Sequence, residues 1–501
     1  MAAPRPAHPV AVALARVVEL AGEGATTEPS DAGRVPITGV TLDSRRVQPG
    51  DLYAALPGSR AHGAQFVEQA AASGAVAVLT DPAGLERSRA AGLATVVVPD
   101  PRRVLGAVSA GVYGEPAGAL RMIGVTGTQG KTTVTRLIDG ALGAAGVRSA
   151  VIGTVGTRIG GADVRTALTT PEAPDLHGLF AAMKEQEVVG CAMEVSSHAL
   201  VLGRVDGVVF DVAVFLNLGR DHLDFHADVE DYFAAKASLF TPERARLALV
   251  NVDDEFGRRL AAEATIPVRT LSARGEADWT ATDVVAGPTG SRFTVRGPGG
   301  VTVETSVGLP GDFNVANGLA AIASAAEAGH DLEAVAAGLA VAGGVPGRLE
   351  RVDDRGPVPV YVDYAHKPDA LEAVLRTLRP VTTGRLVLVI GAGGDRDRGK
   401  RPVMGRIASE LADVVVVTDD NPRSEDPAAI RDEVLRGATG AAEVVEIGDR
   451  RAAIAEALDR ARPGDLVVIA GKGHETGQEV GGVVHPFDDR EVARELLGGS
   501  A

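Results

Sequence analysis

Two hydrophobic rhythms take turns along this chain. Short, nearly continuous apolar runs, of the kind made by strands covered on both faces, stand at residues 50–56, 75–79, 94–98, 120–125, 188–195, 208–216, 358–363, 385–390, 413–418 and 465–470. Between them, residues 10–21, 63–73, 231–240 and the stretch from 312 onward read as helix. Strands alternating with helices predict an α/β fold with mainly parallel sheets. Residues 266–305 depart from the rhythm, and their alternation and Gly/Pro turns predict an antiparallel excursion. A chain of 501 residues corresponds to about three domains. The expected division is a small N-terminal α/β domain (1–118), a central doubly wound domain (119–343) and a C-terminal Rossmann-like α/β domain (344–501). Residues 114–118, rich in Gly and Pro, read as a linker.

Within this framework the chemistry-bearing residues collect at strand ends. After the apolar run 120–125 come Gly127, Thr128, Gln129, Gly130, Lys131, Thr132 and Thr133, and then a helix. A glycine-rich turn between strand and helix points backbone N–H groups and a helix N-terminus at an anion. Lys131 is placed to reach the outer phosphates of ATP, and Thr132 or Thr133 to ligate magnesium. The common phosphate-loop pattern has a glycine where this chain has Val125. Glu194 ends the run 188–195, as either a metal ligand or a strand-end charge. The run 208–216 leads to Asp221, His222 and Asp224, where an imidazole beside carboxylates is a plausible metal ligand and a structural histidine is the alternative. Lys236, alone on its helix, reads on pattern as a solvated side chain. Residues 41–46 and 58–63 are polar loops able to hold a phosphorylated ligand, or merely solvated. In the third region, the run 358–363 leads to residues 364–369 and a helix, while three parallel-type strands each end in a polar loop, 391–401, 419–423 and 471–475, so these three loops are expected to share one sheet edge.

Composition narrows the picture. The chain is 45% hydrophobic and 23% charged, ordinary for a globular protein, and no apolar run reaches membrane-spanning length. The N-terminus shows no secretory pattern, and a single cysteine excludes an internal disulfide framework, so a cytoplasmic location is expected. A net charge of -16 speaks against general nucleic-acid binding. Nothing in the pattern demands association, and a monomer is expected. Only six of 50 basic residues are lysine: Lys131, Lys184, Lys236, Lys367, Lys400 and Lys472. In so arginine-rich a chain, a surviving lysine points to a need for ammonium rather than guanidinium.

Taken together, these motifs resemble the Mur ligases, ATP-dependent amide-forming enzymes of peptidoglycan synthesis, from residue 41 to residue 475 and in the family's order. The resemblance is to the members that add diaminopimelate to UDP-N-acetylmuramoyl-L-alanyl-D-glutamate through an acyl phosphate. It implies an N-terminal domain for the UDP-substrate, a central ATPase domain and a C-terminal amino-acid domain. By resemblance Leu42, Ser44, Ser59, Arg60 and Ala61 hold the UDP part, and Thr169, Thr170, Ser196 and Arg204 the muramoyl-dipeptide. Residues 127–133 match the ATP loop, with Gln129 where asparagine is usual, and Asn317, Arg348, Asp363 and His366 frame the nucleotide. Glu194 and His222 match magnesium ligands. Lys236 matches a lysine that becomes N-carboxylated by CO2, which replaces the solvated reading. Arg396, Asp420, Asn421, Pro422, Arg423, Gly471 and Glu475 match the diaminopimelate pocket. Two competing readings are a folylpolyglutamate synthetase, against which residues 41–46 and 420–423 argue, and a non-catalytic nucleotide- or precursor-binding protein. Joint presence of Lys131, Glu194, His222 and Lys236 speaks against the second.

Overall fold

The computed structural model describes residues 4–219, 221–287, 289–352 and 358–498, so Arg220, inside the expected 217–224 segment, lies outside the described residues. Packing divides the chain into two units: residues 1–282, 295–303 and 317–341 form one, and 283–294, 304–316 and 342–501 the other.

The first unit carries two sheets. Five strands run in the order Thr26–Glu28, Ala94–Val97, Ala77–Thr80, Asp51–Ala55, Gly39–Thr41, all parallel except the Thr26–Glu28 edge. Thr41 pairs with Tyr53, so the loops after Thr41 and Ala55 leave the same edge. Leu14, Val17, Leu52, Leu79, Val96 and Leu105 fill one face of this sheet. Helix Pro101–Val112, additional to the expected elements, supplies Leu105; Asp100 caps it, accepting from the N–H groups of Arg102 and Arg103, with Pro101 in the first turn.

The stretch expected as a linker is a tight turn instead. Gly114 and Glu115 take positive φ (72° and 49°), reversing the chain into Pro116–Ala119, where Pro116 and Ala117 are buried. Gly and Pro here signal a fixed turn; Ala117 belongs to the next sheet's core.

The second sheet centres on Arg121–Thr126, flanked in parallel by Gly190–Glu194 and Val212–Phe215. On one side it continues to Ser149–Ile152, and on the other to Ala248–Asn251 and Val268–Ser272. The chain fills one side before crossing to the other, so a crevice opens at the carboxyl ends beside Arg121–Thr126. The expected antiparallel excursion starts later than the pattern implied. Val268–Ser272 is parallel to its neighbour, and Leu271 pairs in parallel with Trp279.

In the second unit six strands are ordered Glu350–Arg351, Val360–Asp363, Leu466–Ala470, Leu386–Ile390, Val414–Val417, Glu443–Glu446, with only the two-residue edge antiparallel. Asp363 pairs with Ala470, Val389 with Ile469 and Ile390 with Val417, so the three loops expected on one edge emerge together, joined by the loop after Asp363. Leu388, Leu371, Met404 and Val434 pack on one face, and Val389, Ile454 and Val492 on the other. A hairpin not anticipated from the pattern, Gly477–Val480 with Val483–Pro486, follows the last of these loops.

Arg450 and Asp489, both wholly buried, form a two-bonded ion pair at 2.7 Å and 2.7 Å. Removing one partner strands the other charge in a low dielectric, so Asp489→Ala should cost about 3–5 kcal/mol. Urea unfolding of the full chain, with hydrogen exchange followed at Val414–Val417 and Leu466–Ala470, checks this; unchanged protection there would contradict it.

Candidate active site

The phosphate loop is built as its sequence demands. Gly127 and Gly130 sit at φ 151° and 86°, and Gly130 immediately precedes helix Lys131–Ala144. A Cβ on Gly130 would stand 2.7 Å from Asn317 Oδ1, which places Asn317 against the loop. Lys131 Nζ donates to the carbonyls of Gly127 (2.8 Å) and Thr128 (3.0 Å), curled over the loop it is expected to serve. Asn217 braces the loop, accepting from Gln129 N (2.9 Å) and donating to Gln129 O (3.2 Å). Thr132 and Thr133 are buried in the helix's first turn.

Lys236 is not solvated. Its side chain is 1% exposed, and Nζ donates to Gly127 O at 2.9 Å, lies 3.5 Å from Thr126 Oγ1 and sits 4.6 Å from the centre of the Tyr232 ring. Burial first, then the like charge of Lys131, push its pKa well below that of an ordinary lysine, against the pull of Asp221. The amine is therefore driven toward its neutral, nucleophilic form.

Glu194 is equally buried and pairs across the sheet with Val125. Its oxygens accept from Thr154 N (2.8 Å) and Thr154 Oγ1 (3.1 Å). Thr154 Oγ1 lies 3.1 Å from Thr169 Oγ1; Thr170 Oγ1 donates to Glu194 O (2.8 Å) and accepts from Ser196 N (3.2 Å). Arg204 reaches Thr170 O (3.4 Å) and is oriented by Glu172 (2.9 Å). Thr169, Thr170, Ser196 and Arg204 thus join Glu194 in one network.

His222, at φ 53°, donates its backbone N–H to Asp221 Oδ1 (2.8 Å), and its ring lies 6.0 Å from that of Tyr232. Asp224 is exposed. Among the described residues no three His, Cys, Asp or Glu side chains gather as a metal-binding group. In the N-terminal sheet, Ser44 Oγ donates to Gln69 Oε1 (2.9 Å) and Leu42 is half-buried. Ser59 and Arg60 are exposed beside half-buried Ala61, with no polar partner for Arg60 among the described residues.

The second unit gathers the remaining candidates at its sheet edge. Asp363 accepts from Leu349 N (2.7 Å) and Ala365 N (2.8 Å); burial raises its pKa despite nearby Arg348, whose guanidinium lies 4.5 Å from the Tyr364 ring centre. His366 Nδ1 faces Tyr364 O at 2.7 Å, and a carbonyl only accepts, so Nδ1 carries the proton. Burial lowers its pKa to about 4, leaving Nε2 a neutral acceptor.

Asn421 Nδ2 donates to Glu475 Oε2 (2.9 Å). Arg423, at φ 53°, donates Nη1–H to Gly394 O (2.7 Å), and its Nε lies 3.4 Å from Glu479 Oε2. A Cβ on Gly471 would lie 2.6 Å from Asp420 Oδ2, so glycine lets the Asp420 and Gly471 loops meet. Pro422 packs its carbonyl against Gly394 in the same way. Arg396, in the same loop as Gly394, is exposed and has no partner among the described residues.

Residues 36–113, 125–325 and 347–473 match, in turn, the Mur ligase family catalytic domain, the Mur ligase middle domain and the Mur ligase glutamate ligase domain. The chain belongs to the Mur ligase family. A UDP-N-acetylmuramoyl-L-alanyl-D-glutamate--2,6-diaminopimelate ligase of Streptomyces coelicolor is 55% identical, over 99% of both chains. A relative of the same name from Streptomyces avermitilis is 57% identical, over 99% of this chain and 98% of the relative. A solved structure of an enzyme so named is 34% identical and superposes with a TM-score of 0.70, over 98% of this chain and 99% of the other. ATP and magnesium use follow from membership in this ligase family.

Several partners of these Mur ligase residues escaped the sequence reading. Thr154 lies outside every motif, and Asn217 and Tyr364 open the segments 217–224 and 364–369 without having been given a role. Tyr232 stands four residues before Lys236, on the same helix face, and that spacing was a readable sign. Gly130→Ala should weaken ATP-analogue binding ~10-fold or more, since left-handed backbone strain alone is worth about 1–2 kcal/mol. Calorimetric titration measures it; wild-type affinity would show that Asn317 and the loop yield freely.

Proposed function

We propose that this chain is an ATP-dependent carboxylate–amine ligase joining 2,6-diaminopimelate to UDP-N-acetylmuramoyl-L-alanyl-D-glutamate, a step of peptidoglycan synthesis that takes place in the cytoplasm. The observation that carries it is the grouping of Arg423, Asn421 and Glu475 at one sheet edge, in a chain 55% identical from end to end to a ligase of that name. Residues 1–118 bind the UDP-substrate, 119–343 the ATP and 344–501 the amino acid.

A carboxylate is a poor electrophile, so ATP first phosphorylates the D-glutamyl side-chain carboxylate. Transfer between two anions depends on positioning and charge neutralisation. Lys131 and the N–H groups of residues 127–133 hold the phosphates, while Ser196, Thr170 and Arg204 hold the acceptor. The residues present fit magnesium: Glu194 is a buried carboxylate at the carboxyl end of a strand beside the loop, and His222 and Lys236 flank Tyr232. When bound, that hard cation screens the oxygens between which charge moves. Glu194, His222, Thr132 or Thr133 and a carboxylated Lys236 would hold it.

Lys236 supports the carboxylation reading by its burial, which with the like charge of Lys131 pushes its pKa well below that of an ordinary lysine. That amine attacks CO2, its lone pair forms the N–C bond, one proton leaves, and an oxygen donor replaces an ammonium. The amino group of diaminopimelate then attacks the acyl carbon, its lone pair forming the C–N bond; the C–O bond to phosphate breaks, phosphate departs and the nitrogen gives up a proton. Diaminopimelate differs from lysine by a distal carboxylate, which Arg423 meets with charge-assisted hydrogen bonds. Lysine would leave that guanidinium short of a partner, and sites built around a polar contact reject its absence by up to ~10⁴-fold.

Phosphate release with ATP, magnesium and the UDP-dipeptide should require diaminopimelate and be nearly absent with lysine. Turnover with lysine would discard the Arg423 argument, and no turnover with either would discard the ligase. Arg423→Ala should raise KM for diaminopimelate ~10–100-fold, the worth of charge-assisted hydrogen bonding. Lys236→Ala should be nearly inactive and regain activity with a short-chain carboxylic acid; full activity without it would remove the carbamate.

A further inference from the structure

Lys472 is a second lysine with no solvent exposure, and nothing in the chemistry above uses it. It follows strand Leu466–Ala470 in the loop that carries Gly471 and Glu475. Its Nζ donates to Gly477 O (2.6 Å), Asn421 Oδ1 (3.2 Å) and Glu475 Oε2 (3.3 Å). An ammonium has three N–H bonds, and all three are spent inside the protein. Lys472 therefore has nothing left to offer a substrate.

What it does is orient the groups that do. Asn421 Oδ1 accepts from Lys472 and from Glu479 N (3.0 Å), which uses both lone pairs and forces the amide N–H2 toward Glu475 Oε2. Glu475 Oε2 is then held by Asn421 and Lys472 together, while among the described residues Oε1 has only a 3.4 Å contact with the Tyr364 hydroxyl. The carboxylate is pinned through one oxygen and offers the other. The bond to Gly477 O anchors the start of the hairpin, whose Gln478 Nε2 donates to Asp420 O (2.8 Å) and whose Glu479 O accepts from Arg423 N (2.9 Å). One buried cation is thus joined to Glu475, Asn421 and, through the hairpin, Arg423.

We propose that Lys472 is the positioning residue of the amino-acid pocket. It aims Glu475 Oε1 at the ammonium of the incoming amino acid, and it sets the distance between that oxygen and Arg423. Arginine cannot replace it, because a planar fork does not fit three convergent acceptors in a sealed site. This assignment rests on the ligase reading given above.

The test is steady-state kinetics of the full chain with each substrate varied in turn. Wild-type turnover with diaminopimelate in the same assay checks the ligase reading separately, so loss there is not confused with loss of this role. Lys472→Met should raise KM for diaminopimelate ~10–100-fold, as expected for a displaced charge-assisted contact, and leave KM for ATP and for the UDP-dipeptide within ~2-fold. Lys472→Arg should not restore it. In a Glu475→Gln background the same substitution should add less than ~2-fold, because residues acting as a unit are not additive. Lys472→Gln, which keeps a donor but no charge, is the second variant and should show the same selective rise. Unchanged KM in both variants, a full additive effect in the Glu475→Gln background, or a uniform loss across all three substrates would overturn the proposal. Failure of both variants to fold would assign Lys472 to the fold and not to the pocket.

Discussion

Parallel strand pairing is the constraint on which the rest depends. Covered by helices on both faces, a parallel sheet has no side on which to display polar chemistry, so that chemistry emerges at the carboxyl ends. Register then decides which ends are neighbours. Glu194 opposite Val125, and Phe215 opposite Thr126, bring the residues after three separate strands to the phosphate loop. Asp363 opposite Ala470 does the same for the residues of the second unit proposed to frame the nucleotide and to hold the amino acid.

The two buried lysines show how surroundings divide one chemistry into two tasks. Lys236 meets neutral oxygens, an aromatic face and the like charge of Lys131, so the charged form is disfavoured. Lys472 meets a carboxylate, an amide oxygen and a carbonyl, so each N–H has a partner and the ammonium serves as a fixed charge. Arginine performs the heavier anchoring. Arg450, paired with Asp489, also donates to Ala470 O (3.0 Å) and Asp419 O (3.3 Å), tying two site loops to the core behind them. Arg401 bonds Gly393 O (3.1 Å) and holds Glu425, whose carboxyl is kept down at about 2 by that guanidinium, the Asp395 N–H and Arg398. Loops this long at a sheet edge would lose geometry without such braces, and planar guanidinium suits the task because it satisfies several oxygens at once.

The sequence by itself determined the α/β class, the phosphate loop and the strand ends that bear Glu194, Asp363 and Asp420, because hydrophobic period and glycine placement are local signals. It also made Lys131 and Lys236 conspicuous, since lysine is scarce in this chain. Tertiary structure decided the rest. Only packing could show that residues 114–118 are a fixed turn that buries Pro116 and Ala117, that Val268–Ser272 pairs in parallel, and that Lys236 is sealed against Gly127 O. Only packing could find Thr154 beneath Glu194, or make Lys472 the hub joining Asn421 to Glu475, 54 residues apart along the chain. Burial and convergence of side chains far apart in sequence depend on which strands become neighbours, and no local pattern carries that information.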